Sequence, residues 1–278
     1  MRSQWECLLQ NLGCWQGSFT RLSAKGEILE DIPSETSLEL NSGNQTVRQV
    51  VRRFYDGQPQ DLVLEYRSLN KSTTFFENGA FSQGALQFAP YTEFGAELGL
   101  IHGDCRLRLV LIYDKASQLD RITFIREHLP NNTTPTRPDL TLSDLLGKWE
   151  GEAITIAADW LEPEVMSTVT EWKQEGDRVI MSLQIQTPIG TKTIASSARL
   201  DPQNPQILNF EQDTLSIQTL FLPDGASVTC PVEIATGQPF RIALSWLIEP
   251  RQHQRMIRSY DRKGGWTDLT LVTERKVG

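Results

Sequence analysis

The chain has 278 residues, of which 39% are hydrophobic and 22% charged, and its formal net charge is -8 with a pI near 5.1. This length accommodates one large domain or two ordinary ones. The acidic balance argues against nucleic acid as a partner, because phosphate-backbone binding requires a clustered basic surface, and it disfavours docking on an anionic membrane face.

Neither a membrane span nor a secretion signal is predicted. No window contains about 18 uninterrupted apolar residues, and Met1–Cys14 carries charge without a long apolar run. The four cysteines are scattered along the chain, which is typical of buried thiols in a reducing compartment. We therefore expect a cytoplasmic protein that does not insert into membranes.

In chain order, the first half begins with a short helix and continues in strands. Trp5, Leu8, Leu9 and Leu12 fall on one helical face, and Gly13 ends the helix. Short strands without long helices predict an antiparallel up-and-down sheet, and closing it into a barrel removes both exposed edges. The nine predicted strands are Cys14–Leu22, Thr36–Leu40, Thr46–Tyr55, Leu62–Ser68, Thr73–Phe76, Ala85–Phe88, Ala96–His102, Arg106–Tyr113 and Ile122–Glu127.

The second half repeats this order after a linker. His128–Asp139 contains three prolines and no periodicity, so we predict a first barrel at residues 1–128, a linker at 129–139 and a second barrel at 140–278. Leu142 and Leu145 begin a helical turn that leads the second barrel. Its ten predicted strands are Glu150–Ala157, Ser167–Gln174, Arg178–Gln186, Thr191–Arg199, Ile207–Phe210, Leu215–Leu222, Ala226–Val232, Phe240–Ile248, Gln254–Tyr260 and Thr267–Lys276.

Four features recur in the same order in both halves. The stretch G-C-W-Q-G at Gly13–Gly17 matches G-K-W-E-G at Gly147–Gly151. Recurrence at a spacing near half the chain indicates that one barrel-sized unit is encoded twice. The other three pairs are Asn78-Gly79-Ala80 with Asp224-Gly225-Ala226, Tyr113-Asp114-Lys115 with Tyr260-Asp261-Arg262, and Glu127 with Glu274.

The G-x-W stretch that follows a short helix resembles the lipocalin/calycin superfamily of small-ligand barrels. In that family an Arg from the last strand packs across the Trp and closes one end of the barrel. The resemblance implies that Trp15 and Arg126 close the first barrel, and that Trp149 and Arg275 close the second.

Two further segments resemble a cyanobacterial family of tandem calycin-like proteins of unknown function. They are F-F-E-N-G-A-F-S-Q-G at Phe75–Gly84 and L-I-H-G-D at Leu100–Asp104. The resemblance implies two barrels and a habit of binding apolar or pigment-like molecules, so a tetrapyrrole or a lipid is the expected ligand class. It names no particular ligand, since fold does not determine function.

The predicted ligand-binding residues are aromatic side chains and arginines. The aromatic residues between positions 75 and 94 fit either a core or the wall of a cavity for a flat, conjugated ligand. An arginine inside a barrel would need a carboxylate partner, which a ligand could supply, whereas the alternative is an arginine that points to solvent or pairs with outer acidic residues. The predicted set is Phe75, Phe76, Phe81, Phe88, Arg106, Arg108, Tyr113 and Arg255.

Glu97, His102 and Asp104 are the candidate catalytic residues. Carboxylates and an imidazole that converge at a barrel mouth can transfer protons, and the alternative is a hairpin with polar turn residues. The other histidines, His128 and His253, are not spaced with His102 as metal ligands on one strand or helix. We therefore predict no metal site, while a single axial histidine for haem stays open.

The sequence favours non-catalytic binding of a hydrophobic or tetrapyrrole-like small molecule in one or both barrels. One alternative is an enzyme, a lyase, isomerase or cyclase that acts on a barrel-bound pigment or lipid. Another is a ligand-free structural or assembly protein whose barrels are filled by their own side chains. Both ligand interpretations require a cavity of about 300 Å3 or more.

Overall fold

The computed structural model describes residues 2–41, 43, 45–130, 138–160, 162–210 and 215–277. Residues 131–137, most of the predicted linker, lie outside the described residues. The described residues are nearly all in strands or the turns between them, which confirms the all-β prediction. Within these ranges, none of the helices has the length and apolar character needed to span a bilayer.

The first half begins with the short helix that the sequence predicts. The Glu6 N–H donates to Ser3 Oγ at 3.2 Å and the Ser3 N–H donates to Glu6 Oε2 at 2.8 Å, so a capping box satisfies the first turn. The elements are α1 Gln4–Leu8, a 3-10 turn Leu9–Asn11, β1 Gly13–Leu22, β2 Ile28–Leu40, β3 Val47–Tyr55, β4 Gln58–Tyr66, β5 Thr73–Phe75, β6 Phe81–Gly84, β7 Phe94–His102, β8 Cys105–Tyr113 and β9 Leu119–His128.

These nine strands form one sheet in the order β4-β3-β2-β1-β9-β8-β7-β6-β5. Strand β1 pairs with β9, the last strand of this half, so the two edges of the sheet are β4 and β5, which follow each other along the chain. The predicted closed first barrel is therefore open along a seam. Strand β5 has 3 residues and β4 has 9, so β5 offers too few backbone groups to continue the ladder of β4.

The sixth strand lies four residues earlier than predicted. It runs over Phe81–Gly84 instead of Ala85–Phe88 and pairs with β7. Phe81 lies opposite Gly99, where an added Cβ would approach the Phe81 ring to 2.4 Å. The missing side chain at Gly99 thus provides the space for this ring and sets the register.

The second half contains a closed, antiparallel barrel, as predicted. Its strands follow chain order, and β19 pairs with β10 to complete the circle. The elements are α2 Leu142–Leu145, β10 Gly147–Ala157, β11 Glu164–Glu175, β12 Arg178–Thr187, β13 Gly190–Leu200, β14 Ile207–Phe210, β15 Ile217–Phe221, β16 Ala226–Pro231, β17 Phe240–Glu249, β18 Gln252–Tyr260 and β19 Trp266–Val277.

The two copies of G-x-W-x-G have the same local structure. Trp15 Nε1–H donates to the Asn11 carbonyl at 2.9 Å, and Trp149 Nε1–H donates to the Leu145 carbonyl at 2.8 Å. Both indoles are almost fully buried. Each tryptophan therefore anchors its leading helix to the first strand through a bond four residues back.

The second glycine of each copy is required by the approach of the last strand. A Cβ at Gly17 would lie 1.8 Å from a carbonyl oxygen of β9, and a Cβ at Gly151 would lie 2.0 Å from one of β19. The later anchors agree as well. Asp114 and Asp261 each accept from the second and fourth backbone N–H groups that follow, at 2.8 and 2.9 Å in both copies.

Contacts divide the chain into two compact units. The segments Leu86–Phe94 and Tyr113–Leu119 group with the second unit, although the sequence assigns both to the first barrel. The first unit comprises Met1–Ala85, Gly95–Ile112 and Asp120–Pro135, and the second comprises Leu86–Phe94, Tyr113–Leu119 and Thr136–Gly278.

Candidate functional site

A cavity of about 330 Å3 lies inside the first unit beside the open seam. Its wall includes Leu62, Leu64 and Tyr66 from β4 and Phe75 from β5, the two edge strands. Because backbone pairing does not close the sheet here, side chains and the connection around Asn70 form the wall. Small-molecule sites span roughly 300–1,000 Å3, and this cavity lies at the lower end of that range.

Strand alternation directs the lining side chains inwards. Trp15 and Phe19 share one face of β1, and Phe19 pairs with Ile125 of β9. On the other side, Val51 of β3 pairs with Leu62 of β4. Every second residue of each strand therefore contributes to one continuous inner surface.

Half of the residues that line that surface, 11 of 22, are apolar. The rings of Phe75 and Phe81 are stacked with centroids 5.2 Å apart. The guanidinium groups of Arg53 and Arg108 lie 4.8 Å and 5.5 Å from the Phe19 ring centroid. Such a wall suits a largely apolar or aromatic ligand. The aliphatic lining residues are Leu8, Leu38, Val51, Leu62, Leu64, Leu69, Val110 and Ile125.

One part of the cavity wall is an ionic cluster. Arg108 binds Glu127 through both oxygens, with Nε–Oε2 and Nη2–Oε1 distances of 2.9 Å, and Arg106 Nε donates to Glu127 Oε2 at 2.8 Å. Arg108 Nη1 also donates to Glu97 Oε1 at 2.7 Å, and Arg106 Nη1 donates to Asn11 Oδ1 at 3.2 Å. Two protein carboxylates thus neutralise Arg106 and Arg108, so neither arginine needs a ligand carboxylate.

Glu127 and Arg108 hold their charges firmly. Burial alone would raise the pKa of Glu127, but the charges and hydrogen bonds of Arg108 and Arg106 outweigh it and lower this pKa to about 2. Burial also acts to lower the pKa of Arg108, and Glu127 and Glu97 outweigh it and raise that pKa. Glu127 and Arg108 therefore remain ionised at neutral pH.

The cation over each tryptophan differs from the one that the resemblance implies. The Arg106 guanidinium lies 4.4 Å from the Trp15 ring centroid, whereas Arg126 contacts Phe124 and donates to Thr20 Oγ1. Arg126 is adjacent to Glu127, whose side chain points inwards, so alternation directs Arg126 outwards.

The same reason applies in the second unit. Arg275 follows the inward-facing Glu274 and is exposed, whereas Lys276 Nζ lies 5.2 Å from the Trp149 ring centroid. Lys276 also donates to the Asp144 carbonyl at 2.8 Å, at the leading helix. The expected Arg275–Trp149 contact is therefore replaced by a contact with lysine.

Three of the predicted ligand-binding aromatics lie away from the cavity. Phe76 is buried but is not among its lining residues. Phe88 and Tyr113 belong to the second unit, where Phe88 packs edge-on against Phe240 at 5.8 Å and Tyr113 Oη donates to the Pro231 carbonyl at 2.8 Å. Their placement is that of core residues in an aromatic cluster.

The three candidate catalytic residues do not converge. Glu97 lines the cavity and is paired with Arg108, whereas His102, five positions along β7, has the opposite parity and Asp104 is an exposed turn residue. Across the described ranges, no group of three or more His, Cys, Asp or Glu side chains is arranged to hold a metal ion.

The prediction from sequence missed Phe19, Tyr66 and Asn11 as lining residues. Phe19 shares parity with Trp15 on β1, so alternation was a usable signal. Tyr66 likewise shares parity with Leu62 and Leu64 on β4. Asn11 had no such signal, because it enters from the leading turn. The placement of Asn11 depends on tertiary geometry.

The comparisons with known proteins cover both units. Residues 1–132 match a family model described as "Domain of unknown function (DUF3598), N-terminal". A crystal structure of a DUF3598 protein from Nostoc punctiforme PCC 73102 is 43% identical, covers 100% of both chains and has a TM-score of 0.92. The chain belongs to the DUF3598 family.

Further matches concern parts of this DUF3598 protein. Residues 136–277 match, and belong to, a family described as "Biogenesis factor required for ATP synthase 1, C-terminal domain". The structure of an S-type phycobiliprotein lyase from Guillardia theta is 11% identical, with a TM-score of 0.43, and the match covers 49% of this chain and 90% of the lyase. No curated protein matches the chain.

Proposed function

We propose that the first unit binds a largely apolar small molecule without chemical conversion. The observation that carries this proposal is the cavity of about 330 Å3 beside the β4/β5 seam, lined by Phe19, Phe75 and Phe81 and by aliphatic side chains. A barrel filled by its own side chains would have no such space. Because Glu97 is paired with Arg108 and separated from His102, binding without acid–base chemistry is the function that the geometry supports best.

The charged cluster orients the ligand in this proposal. Glu97 retains 21% side-chain exposure, whereas Glu127 has none. Glu97 is therefore the carboxylate of this cluster that a ligand can reach, while Glu127 stays closed behind Arg106 and Arg108. A ligand with a hydroxyl, amide or pyrrole N–H at one end can donate to Glu97 and bury its remainder among the phenylalanines.

We further propose that both units are calycin-like and that the ligand class includes tetrapyrrole-like molecules. Support comes from the leading helix, the Trp15 and Trp149 indoles bonded to those helices, and the meander of antiparallel strands. A flat, conjugated ligand fits beside the stacked Phe75–Phe81 pair.

A pair of valine variants tests the proposal. Val110 lines the cavity, whereas Val63 on β4 has the opposite parity and is 47% exposed. Titration with Nile red, an uncharged apolar fluorophore, and with biliverdin dimethyl ester, an uncharged tetrapyrrole, should show binding to the wild type and to Val63→Phe. Val110→Phe should lose this binding, because its ring occupies the cavity. Equal binding by both variants contradicts the proposal.

A second candidate function is assembly of ATP synthase, which the match of residues 136–277 to the biogenesis-factor domain favours. Deletion of the gene in its native host should then lower the amount of assembled ATP synthase on native gels. Normal amounts of the assembled enzyme in the deletion strain contradict this role. Complementation with Val110→Phe shows whether the first-unit cavity takes part.

A further inference from the structure

The second barrel repeats an arginine–glutamate pair of the first unit but leaves the arginine short of partners. Arg255 corresponds to Arg108 and Glu274 to Glu127, each 147 residues further on. In the first unit, Nε and Nη2 of Arg108 form one edge of the guanidinium and both bind Glu127 at 2.9 Å. Among the described residues, neither Nε nor Nη2 of Arg255 finds a hydrogen-bond partner, and Nη2 lies 3.8 Å from Glu274 Oε1.

The difference arises because Glu274 binds other groups. Thr170 Oγ1 donates to Glu274 Oε1, and His253 Nδ1 lies 3.3 Å from Oε2. The corresponding first-unit residues are Thr36, whose Oγ1 is without a hydrogen-bond partner in the described chain, and Arg106. Among the described residues, the Thr36 hydroxyl is therefore unpaired in the first unit, and the Nε/Nη2 edge of Arg255 is unpaired in the second.

A second carboxylate is also missing beside Arg255. Glu97, which accepts from Arg108 Nη1, pairs with Gln83 on the neighbouring strand. In the second barrel, Ala243 corresponds to Glu97 and Thr229 to Gln83, each 146 positions further on, and these two residues pair in the same way. Alanine therefore occupies the position of the carboxylate. Arg108 has two carboxylates at hydrogen-bond distance, and in the part of the chain that the structure describes Arg255 has none.

The free edge of Arg255 lies inside the barrel lumen. Arg255 on β18 is about nine-tenths buried, and its Nη1 reaches Met181 Sδ at 4.0 Å, on β12 at the far side of the closed barrel. Ser196 pairs with Met181 and points to the same lumen. Within the described ranges, Ser196 Oγ, Thr168 Oγ1 and His253 Nε2 are likewise buried without hydrogen bonds.

We propose that the lumen of the second barrel is a carboxylate-binding site centred on Arg255. The Nε/Nη2 edge of Arg255 takes both oxygens of a ligand carboxylate, as the same edge of Arg108 takes Glu127. Ser196 and Thr168 supply hydroxyl donors from the facing wall. A monoanion fits better than a phosphate dianion, because Glu274 lies 3.8 Å from the guanidinium and repulsion grows with ligand charge. This site is separate from the proposed first-unit site in both position and chemistry.

Calorimetric titration of the full chain with sodium decanoate tests the proposal, with decanol as an uncharged probe and inorganic phosphate as a second anion. Decanoate should bind the wild type, and Arg255→Gln should weaken it by tenfold or more. Arg255→Lys keeps the charge without the bidentate edge and should fall between them. Arg262→Gln makes the same charge change at an exposed position of the second unit and should leave binding unchanged.

A second readout does not depend on the variants folding. The Arg255 Nε–H resonance of the wild type, assigned through its couplings to the Arg255 backbone, should shift with decanoate and not with decanol. Unchanged decanoate binding by Arg255→Gln, an equal loss of decanol binding in that variant, preference for phosphate or no decanoate binding overturns the proposal. Val110→Phe should leave decanoate binding at Arg255 intact, so failure of the first-unit function is distinguished from failure of this site.

Discussion

Replacing Glu127 by Gln should destabilise the first unit strongly. Arg106, Arg108 and Glu127 have side-chain exposures of 3%, 8% and 0%, so the substitution leaves two buried guanidinium groups facing a neutral amide. Breaking a buried ion pair by removing one partner costs roughly 3–5 kcal/mol. A Glu127 pKa of about 2, against an ordinary 4.5, independently corresponds to about 3 kcal/mol of stability.

Chemical denaturation followed by circular dichroism measures this change, and an exposed pair provides the matched control. Arg52 binds Asp61 with the same bidentate geometry, at 2.8 Å to each oxygen, but both side chains are more than a third exposed. Asp61→Asn should therefore change stability far less than Glu127→Gln, because water screens the exposed pair. Similar effects of the two substitutions would refute the argument that burial makes the Arg106–Glu127–Arg108 cluster a major determinant of stability.

Three further predictions concern stability and reactivity. Since the pKa of both Glu127 and Glu274 is lowered to about 2, the stability they contribute is fully present above pH 4.5 and should fall as the pH drops from 4.5 through 2, measured by denaturation at each pH. Gly17→Ala and Gly151→Ala should each cost about 3 kcal/mol or more, because the new Cβ meets a backbone carbonyl that cannot move aside; thermal unfolding close to wild type in either variant would contradict this. Burial raises the pKa of Cys230 to about 12, so iodoacetamide should label it only after unfolding, and labelling in the native state speaks against this burial.

The duplicated architecture could be predicted from the sequence because its signals are local. Helix periodicity, turn residues and strand alternation depend on neighbours along the chain. Of the nineteen strands in the described residues, eighteen overlap a predicted strand, and β6 lies wholly before its predicted position. The anchors at Trp15, Trp149, Asp114 and Asp261 recur with the same hydrogen bonds, so repetition in sequence corresponds to repetition in structure.

The site could be predicted only in part, because sequence parity does not say which strand face is inside. Arg106 and Arg108 were singled out on β8, but their carboxylate partner was left open between ligand and protein, and Glu127 takes that role. The seam beside β5 was not foreseen either. The seam exists because β5, Thr73–Phe75, does not pair with β4, and the pairing of strands is a property of the tertiary structure.

The central claim is that the first-unit cavity holds an apolar molecule, and the most direct measurement is the small-molecule content of protein purified from its native host. Mass spectrometry and absorbance of the released material should show one apolar compound at near-equimolar amount in the wild type and in Val63→Phe. Val110→Phe, with its cavity filled, should carry none. A folded wild-type protein that releases no such compound, or a Val110→Phe variant that releases the same amount, would contradict the account.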